Sequence, residues 1–289
     1  MSSPTHHRRA ILMVLGAAAL FACAAGCVKA LQGGIPLAMV VLFRGAFALP
    51  VMLPLVVRAG GWSVLRTKNP WGHVGRVGFG LVGMAGAFHG YATMPLATVT
   101  ALGFTMPLFL TLLSRPLLGE RIEIHRLAAV LVGFLGVLLM LWPGQSAPES
   151  VLDIGVVLLA ALAWALAMIS IRRMGEAGEP GIAIVAWFAI GTSAVALVFA
   201  LPVWVWPSLW QWALLLGIGV VSAFAQLLMT AAYRSGDTNL LAPFEYSGIV
   251  WTTVLGVLVW SEAPDGWDAA GMAILVGCGI YIWRRGVMR

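Results

Sequence analysis

Apolar residues run in ten long blocks along this chain, and polar residues gather in the short gaps between them. The blocks fall near residues 10–29, 36–57, 72–94, 97–118, 125–142, 151–172, 180–201, 208–233, 238–260 and 267–284. A helix needs about 20 apolar residues to cross a bilayer, and each block has roughly that length. The pattern predicts an all-α integral membrane protein with ten transmembrane helices. Across 289 residues, each span and its loop share about 29, so no loop holds a soluble domain.

Charge then orients the helices. With the N-terminus placed in the cytoplasm, 15 of the 17 Lys and Arg residues fall in cytoplasmic segments. These are Arg8, Arg9, Arg58, Arg66, Lys68, Arg76, Arg115, Arg121, Arg126, Arg172, Arg173, Arg234, Arg284, Arg285 and Arg289. Lys29 lies toward the far side and Arg44 inside a span. The positive-inside rule then predicts a multi-pass protein of the cell inner membrane with both termini cytoplasmic.

Composition agrees: 61% of residues are hydrophobic, 10% are charged, and the mean hydropathy is +0.96. The net charge of +6 sits in short loops beside spans, where it faces an anionic leaflet. Nucleic acid is excluded as a partner on that ground. Cys23, Cys27 and Cys278 all lie within spans, so no external disulfide framework is expected. No His or carboxylate adjoins Cys23 and Cys27 to complete a metal site. The run from His6-His7-Arg8-Arg9 to Ala24-Ala25-Gly26-Cys27 imitates a lipoprotein signal peptide. It is expected to be kept as the first span, because its loss would invert the remaining charge pattern.

The chain also carries a trace of duplication. A shift of 142 residues aligns the halves without a gap. Tyr91 then meets Tyr233, and Glu120 meets Glu262. Seven of 70 positions are identical from 75 to 144, which proves nothing in so apolar a chain. The coincidence of span boundaries and Glu-bearing loops says more. Five spans per half would turn the second half upside down, giving inverted repeats at 1–146 and 147–289. Such repeats supply inward-open and outward-open states by exchange of conformation. Glycines in the third, fifth and tenth spans are expected to serve close packing. Pro107 and Pro243 can bend their helices, as gating or structural elements.

A charge near the bilayer centre costs at least about 2.5–3.5 kcal/mol. Glu245 is the acid well inside a span, about 10 Å from the cytoplasmic edge at 1.5 Å per residue. It is a candidate to bind an ammonium group or cycle a proton. Tyr246, Trp164 and Gln226 share its depth and complete an amphipathic substrate pocket. Lys29, His89 and Arg44 form a positive zone toward the outer side that suits a substrate carboxylate. Arg44 also fits a structural role, Lys29 fits snorkelling, and Tyr91 and Tyr233 fit gating. Glu120 and Glu262 read as loop-shaping groups. Tryptophans near 204–212, with Trp62 and Trp71, fit an interfacial aromatic belt.

These residues resemble the EamA family of drug/metabolite transporters. The likeness rests on Leu42-Phe43-Arg44-Gly45-Ala46-Phe47, Thr105-Met106-Pro107-Leu108-Phe109 and Leu117-Leu118-Gly119-Glu120-Arg121, with Trp260-Ser261-Glu262 as a weaker echo. Ser261 replaces the Gly of the echo, and Ile249 stands where Pro107 would recur. Within the family the chain looks most like the YddG-like aromatic amino acid exporters. The resemblance implies a basket of ten helices around a central cavity, lined chiefly by spans 3, 4, 8 and 9, with 1 and 6 contributing.

The expected function is secondary export of small amphipathic metabolites, aromatic and other apolar amino acids first, by alternating access. A multidrug or cationic-compound exporter of the same superfamily is the alternative. An enzyme is not expected: there is no H-E-x-x-H, no G-x-S-x-G and no second intramembrane acid beside Glu245. The absence of G-x-x-x-x-G-K-[ST] removes direct ATP hydrolysis. No cofactor is called for; the partners are a small solute and the bilayer, and a monomer is compatible with this.

Overall fold

The computed structural model describes residues 4–31, 34–118, 124–140, 150–235, 241, 244 and 247–287. Among them every regular element is helical: α1 Pro4–Ala30, α2 Leu37–Arg58, α3 Pro70–Thr93, α4 Leu96–Gly103, α5 Met106–Leu118, α6 Ile124–Met140, α7 Val151–Glu176, α8 Gly181–Ala200, α9 Leu209–Ser235, α10 Ser247–Trp260 and α11 Gly266–Val287. Among the described residues, five helical segments are long and apolar enough to cross a membrane: Arg8–Ala30, Leu37–Arg58, Val151–Glu176, Gly181–Val203 and Leu209–Tyr233. Ser247–Trp260 and Gly266–Cys278 are shorter apolar helices.

Local chemistry sets several boundaries. Pro36, Pro95 and Pro180 stand before α2, α4 and α8 with extended ψ, since proline fixes φ and donates no N–H at a helix start. At α3 the Asn69 side chain accepts from Gly72 N–H at 3.0 Å. Ser261 follows α10 with φ 58, a left-handed value that glycine takes more easily. The fourth apolar block, expected as one helix over 97–118, is interrupted at Phe104–Thr105. There Phe104 and Thr105 N–H groups bond to Ala101 and Leu102 in a tight turn, and Pro107 becomes the second residue of α5.

Packing joins the first part of the chain to the second. α1 lies on α9 and α10, α3 and α5 on α7, α2 on α8 and α9, and α6 on α11. One core gathers Val28, Met39, Met84, Leu215 and Ile218 from α1, α2, α3 and α9. Small residues set the α3–α7 spacing: a Cβ on Gly86 would lie 2.8 Å from Ala160 Cβ and 3.0 Å from Val156 O. In lipid, close approach of this kind supplies the dispersion contact that holds helices together.

The outer surface is apolar. Leu131, Leu135, Val198, Phe199 and Leu258 are exposed along the helices, as a hydrocarbon-facing surface requires. Exposed Trp62 and Trp71 lie near the α2–α3 connection, and exposed Trp206 and Trp210 near the α8–α9 connection, which fits aromatic belts at two interfaces. Arg76, counted from sequence among the loop cations, departs from that set. It is 1% exposed, inside α3.

Candidate functional site

A cavity of about 220 Å³ opens between the helices. α1 lines it with Phe21, Ala24 and Ala25, α2 with Arg44, and α3 with Met84, Ala87, Phe88 and Tyr91. Gly103 and Met106 reach it from either side of the α4–α5 interruption. A Cβ on Gly103 would meet no described residue within 4 Å, so among the described residues the break leaves room there. α7 contributes Trp164 and Met168, and α9 contributes Ser222, Gln226 and Met229. The wall is mostly aromatic and methionine, with a few polar groups, the composition of a small-molecule site.

The polar wall is concentrated. Arg44 is buried and its guanidinium carbon lies 5.8 Å from the Phe188 ring centroid. The Arg76 guanidinium stacks on the same ring at 3.9 Å and lies 5.7 Å from Trp164. Arg76 Nε and Nη1 and Gln226 Oε1 are buried and have no hydrogen-bond partner among the described residues. No carboxylate pairs with either arginine among the described residues. A second space of about 10 Å³, beside Arg44, Ser222 and Gln226, has room for about one water.

Polar contacts tie the connections at each end of the bundle. At one end Lys29 Nζ meets Glu262 Oε1 at 2.7 Å and donates to Met94 O at 3.0 Å. Leu96 N–H donates to Glu262 Oε2 at 3.3 Å. At the same end His89 Nε2 and Asp153 Oδ1 are 2.6 Å apart. At the other end Glu179 gathers the α2–α3 connection. Its Oε1 accepts from Thr67 Oγ1 at 2.7 Å, Lys68 N–H at 3.0 Å and Asn69 N–H at 3.2 Å. Its Oε2 lies 3.5 Å from His73 Nε2. Burial opposes the Glu179 charge, but the bonds from Thr67, Lys68, His73 and Asn69 outweigh it and hold the carboxyl below its ordinary range. Trp187 Nε1 adds a bond to Leu65 O at 2.9 Å.

The structure brings some of the expected residues together and engages others elsewhere. Trp164, Gln226, Arg44 and Tyr91 share the cavity wall. Lys29 and His89 are instead engaged in the end contacts with Glu262 and Asp153. Tyr233 packs beside Val14, Ala17 and Met229 of α1 and α9. Glu245, Tyr246 and Pro243, as well as Glu120, lie outside the described residues. Glu262, read from sequence as loop-shaping, forms an ion pair with Lys29 in the last turn of α1. Sequence reasoning missed Arg76 as a buried group. The available signal was its position four residues inside an apolar block, a full helical turn past the boundary.

Comparison with known proteins places this geometry. A family model, the EamA-like transporter family, matches residues 8–142 and 152–284. The chain is 33% identical over 270 residues to the pseudopaline exporter CntI of Pseudomonas aeruginosa (strain UCBPP-PA14), covering 93% of this chain and 94% of that one. It is 30% identical over 243 residues to the S-adenosylmethionine uptake transporter of Rickettsia prowazekii (strain Madrid E), covering 84% and 81%. It is 30% identical over 282 residues to a riboflavin transporter of Vibrio cholerae serotype O1, covering 96% and 93%. A solved protein crystal structure has the same fold, with a TM-score of 0.75 at 24% identity and full coverage of both chains.

Proposed function

We infer that this chain, which belongs to the EamA-like transporter family, exports small amphipathic metabolites, amino acids above all, by alternating access. It is a membrane transporter, not an enzyme. The observation that carries the solute class is the cavity. Its volume of about 220 Å³ falls below the roughly 300–1,000 Å³ of drug-sized ligand sites. Phe21, Phe88, Tyr91 and Trp164 offer flat apolar faces, while Arg44, Ser222 and Gln226 offer polar ones. That wall suits a molecule with an apolar body and a polar head.

Alternating access is supported by two features. The packing pairs exchange between halves: α1 on α9 and α10 corresponds to α7 on α3 and on α5. This is the pairing expected if residues 1–146 and 147–289 are inverted five-helix repeats with ten crossings. Polar contacts also tie both ends of the bundle, with Lys29–Glu262 and His89–Asp153 at one and the Glu179 cluster at the other. Breaking one set and keeping the other gives two states of similar energy, and a solute shifts their populations. In this reading the Glu179 end faces the cytoplasm with both termini, in the inner membrane. Pro107, at the start of α5, is a flexible point in this reading; Glu245, Tyr246 and Pro243 keep the roles expected from sequence and lie outside the described residues.

The relatives carry chemically different solutes and are named for opposite directions, so amino acid export is this chain's own question. Counterflow in proteoliposomes with labelled phenylalanine, tryptophan, threonine and methionine tests it. Saturable exchange of one or more is expected. Exchange of a lipophilic cation with none of the amino acids would replace this reading with cationic-compound export.

A further inference from the structure

We propose that Arg44 and Arg76 form a carboxylate subsite in the cavity wall, with Arg44 touching the anion and Arg76 holding the local potential positive. The proposal rests on the transport reading above. Lys29 and His89, the cations that the sequence offered for this role, already face Glu262 and Asp153. Arg44 faces the cavity. Both guanidiniums lie against the Phe188 ring, at 5.8 and 3.9 Å, so two like charges share one apolar environment.

Such a pair is costly. Each buried cation loses much of its hydration, and a cation–π contact returns only part of it. Among the described residues no carboxylate supplies the remainder. Arg76 is 1% exposed, and among the described residues its Nε and Nη1 have no acceptor. It lies one ring from the cavity, 5.7 Å from Trp164. An anion beside Arg44 meets the missing charge, and Ser222 and the Gln226 amide stand next to it as neutral hydrogen-bonding groups. The 142-residue shift puts Ala186 and Ile218 at the matching positions of the second half. The subsite is therefore one-sided, and it orients a solute in the cavity.

Two measurements on the full-length purified protein test this. In the first, thermal unfolding is followed with phenylacetate or its uncharged amide, phenylacetamide. Phenylacetate should stabilise the protein as a ligand of the native state, the amide at least about tenfold less effectively, because a hydrogen bond to a charged group is worth roughly 1.5–3 kcal/mol. Arg44→Gln should abolish the difference and Arg76→Gln should shrink it, with Arg44→Lys and Arg76→Lys keeping part of it. In the second, phenylalanine, phenylalaninamide and phenethylamine compete for phenylalanine counterflow, and Arg44→Gln should raise the phenylalanine KM roughly ten- to a hundredfold. Equal stabilisation by acid and amide in the wild type, or equal competition by phenylalanine and phenethylamine, overturns the subsite, whether or not the glutamine variants fold. Acid-selective stabilisation without counterflow of any amino acid supports the subsite and overturns amino acid transport.

Discussion

Replacing Glu179 with Gln should destabilise the protein at neutral pH and leave it nearly unaffected in acid. Glutamine keeps the size of the side chain and one acceptor oxygen but removes the charge. Three donors converge on Oε1, from Thr67, Lys68 and Asn69, and His73 faces Oε2. A hydrogen bond to an ionised group exceeds a neutral one by about 1 kcal/mol, and the Glu179 side chain is 5% exposed, so little screening reduces the difference. The loss should be about 2–3 kcal/mol, or roughly 5–10 °C in Tm at about 2–4 °C per kcal/mol. The sign with pH follows from linkage. The carboxyl titrates below its ordinary value of 4.5 in the folded state. Its stabilisation is fully present above that value and is lost as pH falls through the lower folded-state pKa. Thermal unfolding of both proteins in detergent, from pH 7 downward, should show the gap closing below about pH 4.5. Equal stability at pH 7, or a gap that persists unchanged through acid, would refute the assignment.

Three other outcomes are expected. Lys29→Met should lower stability by about 2–3 kcal/mol, below the roughly 3–5 kcal/mol for a fully buried pair because Glu262 is 25% exposed; adding Glu262→Gln should recover much of the loss, and additive Tm changes would dismiss the pair. Ser261→Gly should raise Tm by an amount equivalent to roughly 1 kcal/mol, since it relieves a left-handed residue at φ 58, and an unchanged or lower Tm would count against the strain. Glu245→Gln should keep solute counterflow and lose any response to an imposed pH gradient; an unaltered gradient response removes Glu245 from coupling.

Much of the helical pattern was legible along the chain. Among the described residues most apolar blocks fall on helices, because the length needed to cross hydrocarbon, and the cost of exposing backbone there, are properties of consecutive residues. Boundaries at Pro36, Asn69 and Pro180 were local in the same way. The interruption of the fourth block was not. Pro107 pointed to a bend, but the turn lies earlier, at Phe104–Thr105, two residues that their neighbours bury.

For the candidate site, sequence put Trp164 and Gln226 at one depth, and both border the cavity, as do Arg44 and Tyr91, which it offered for structural or gating roles. Tertiary structure decided which charges are already satisfied. Lys29 and Glu262 are 233 positions apart and touch, so neither residue's role could be read from its own helix. Arg76 looked like a loop cation until α3, α7 and α8 closed around it. Depth in a membrane is a sum of 1.5 Å steps along one helix, whereas the partner that a charge finds depends on the rotation and contact of several helices.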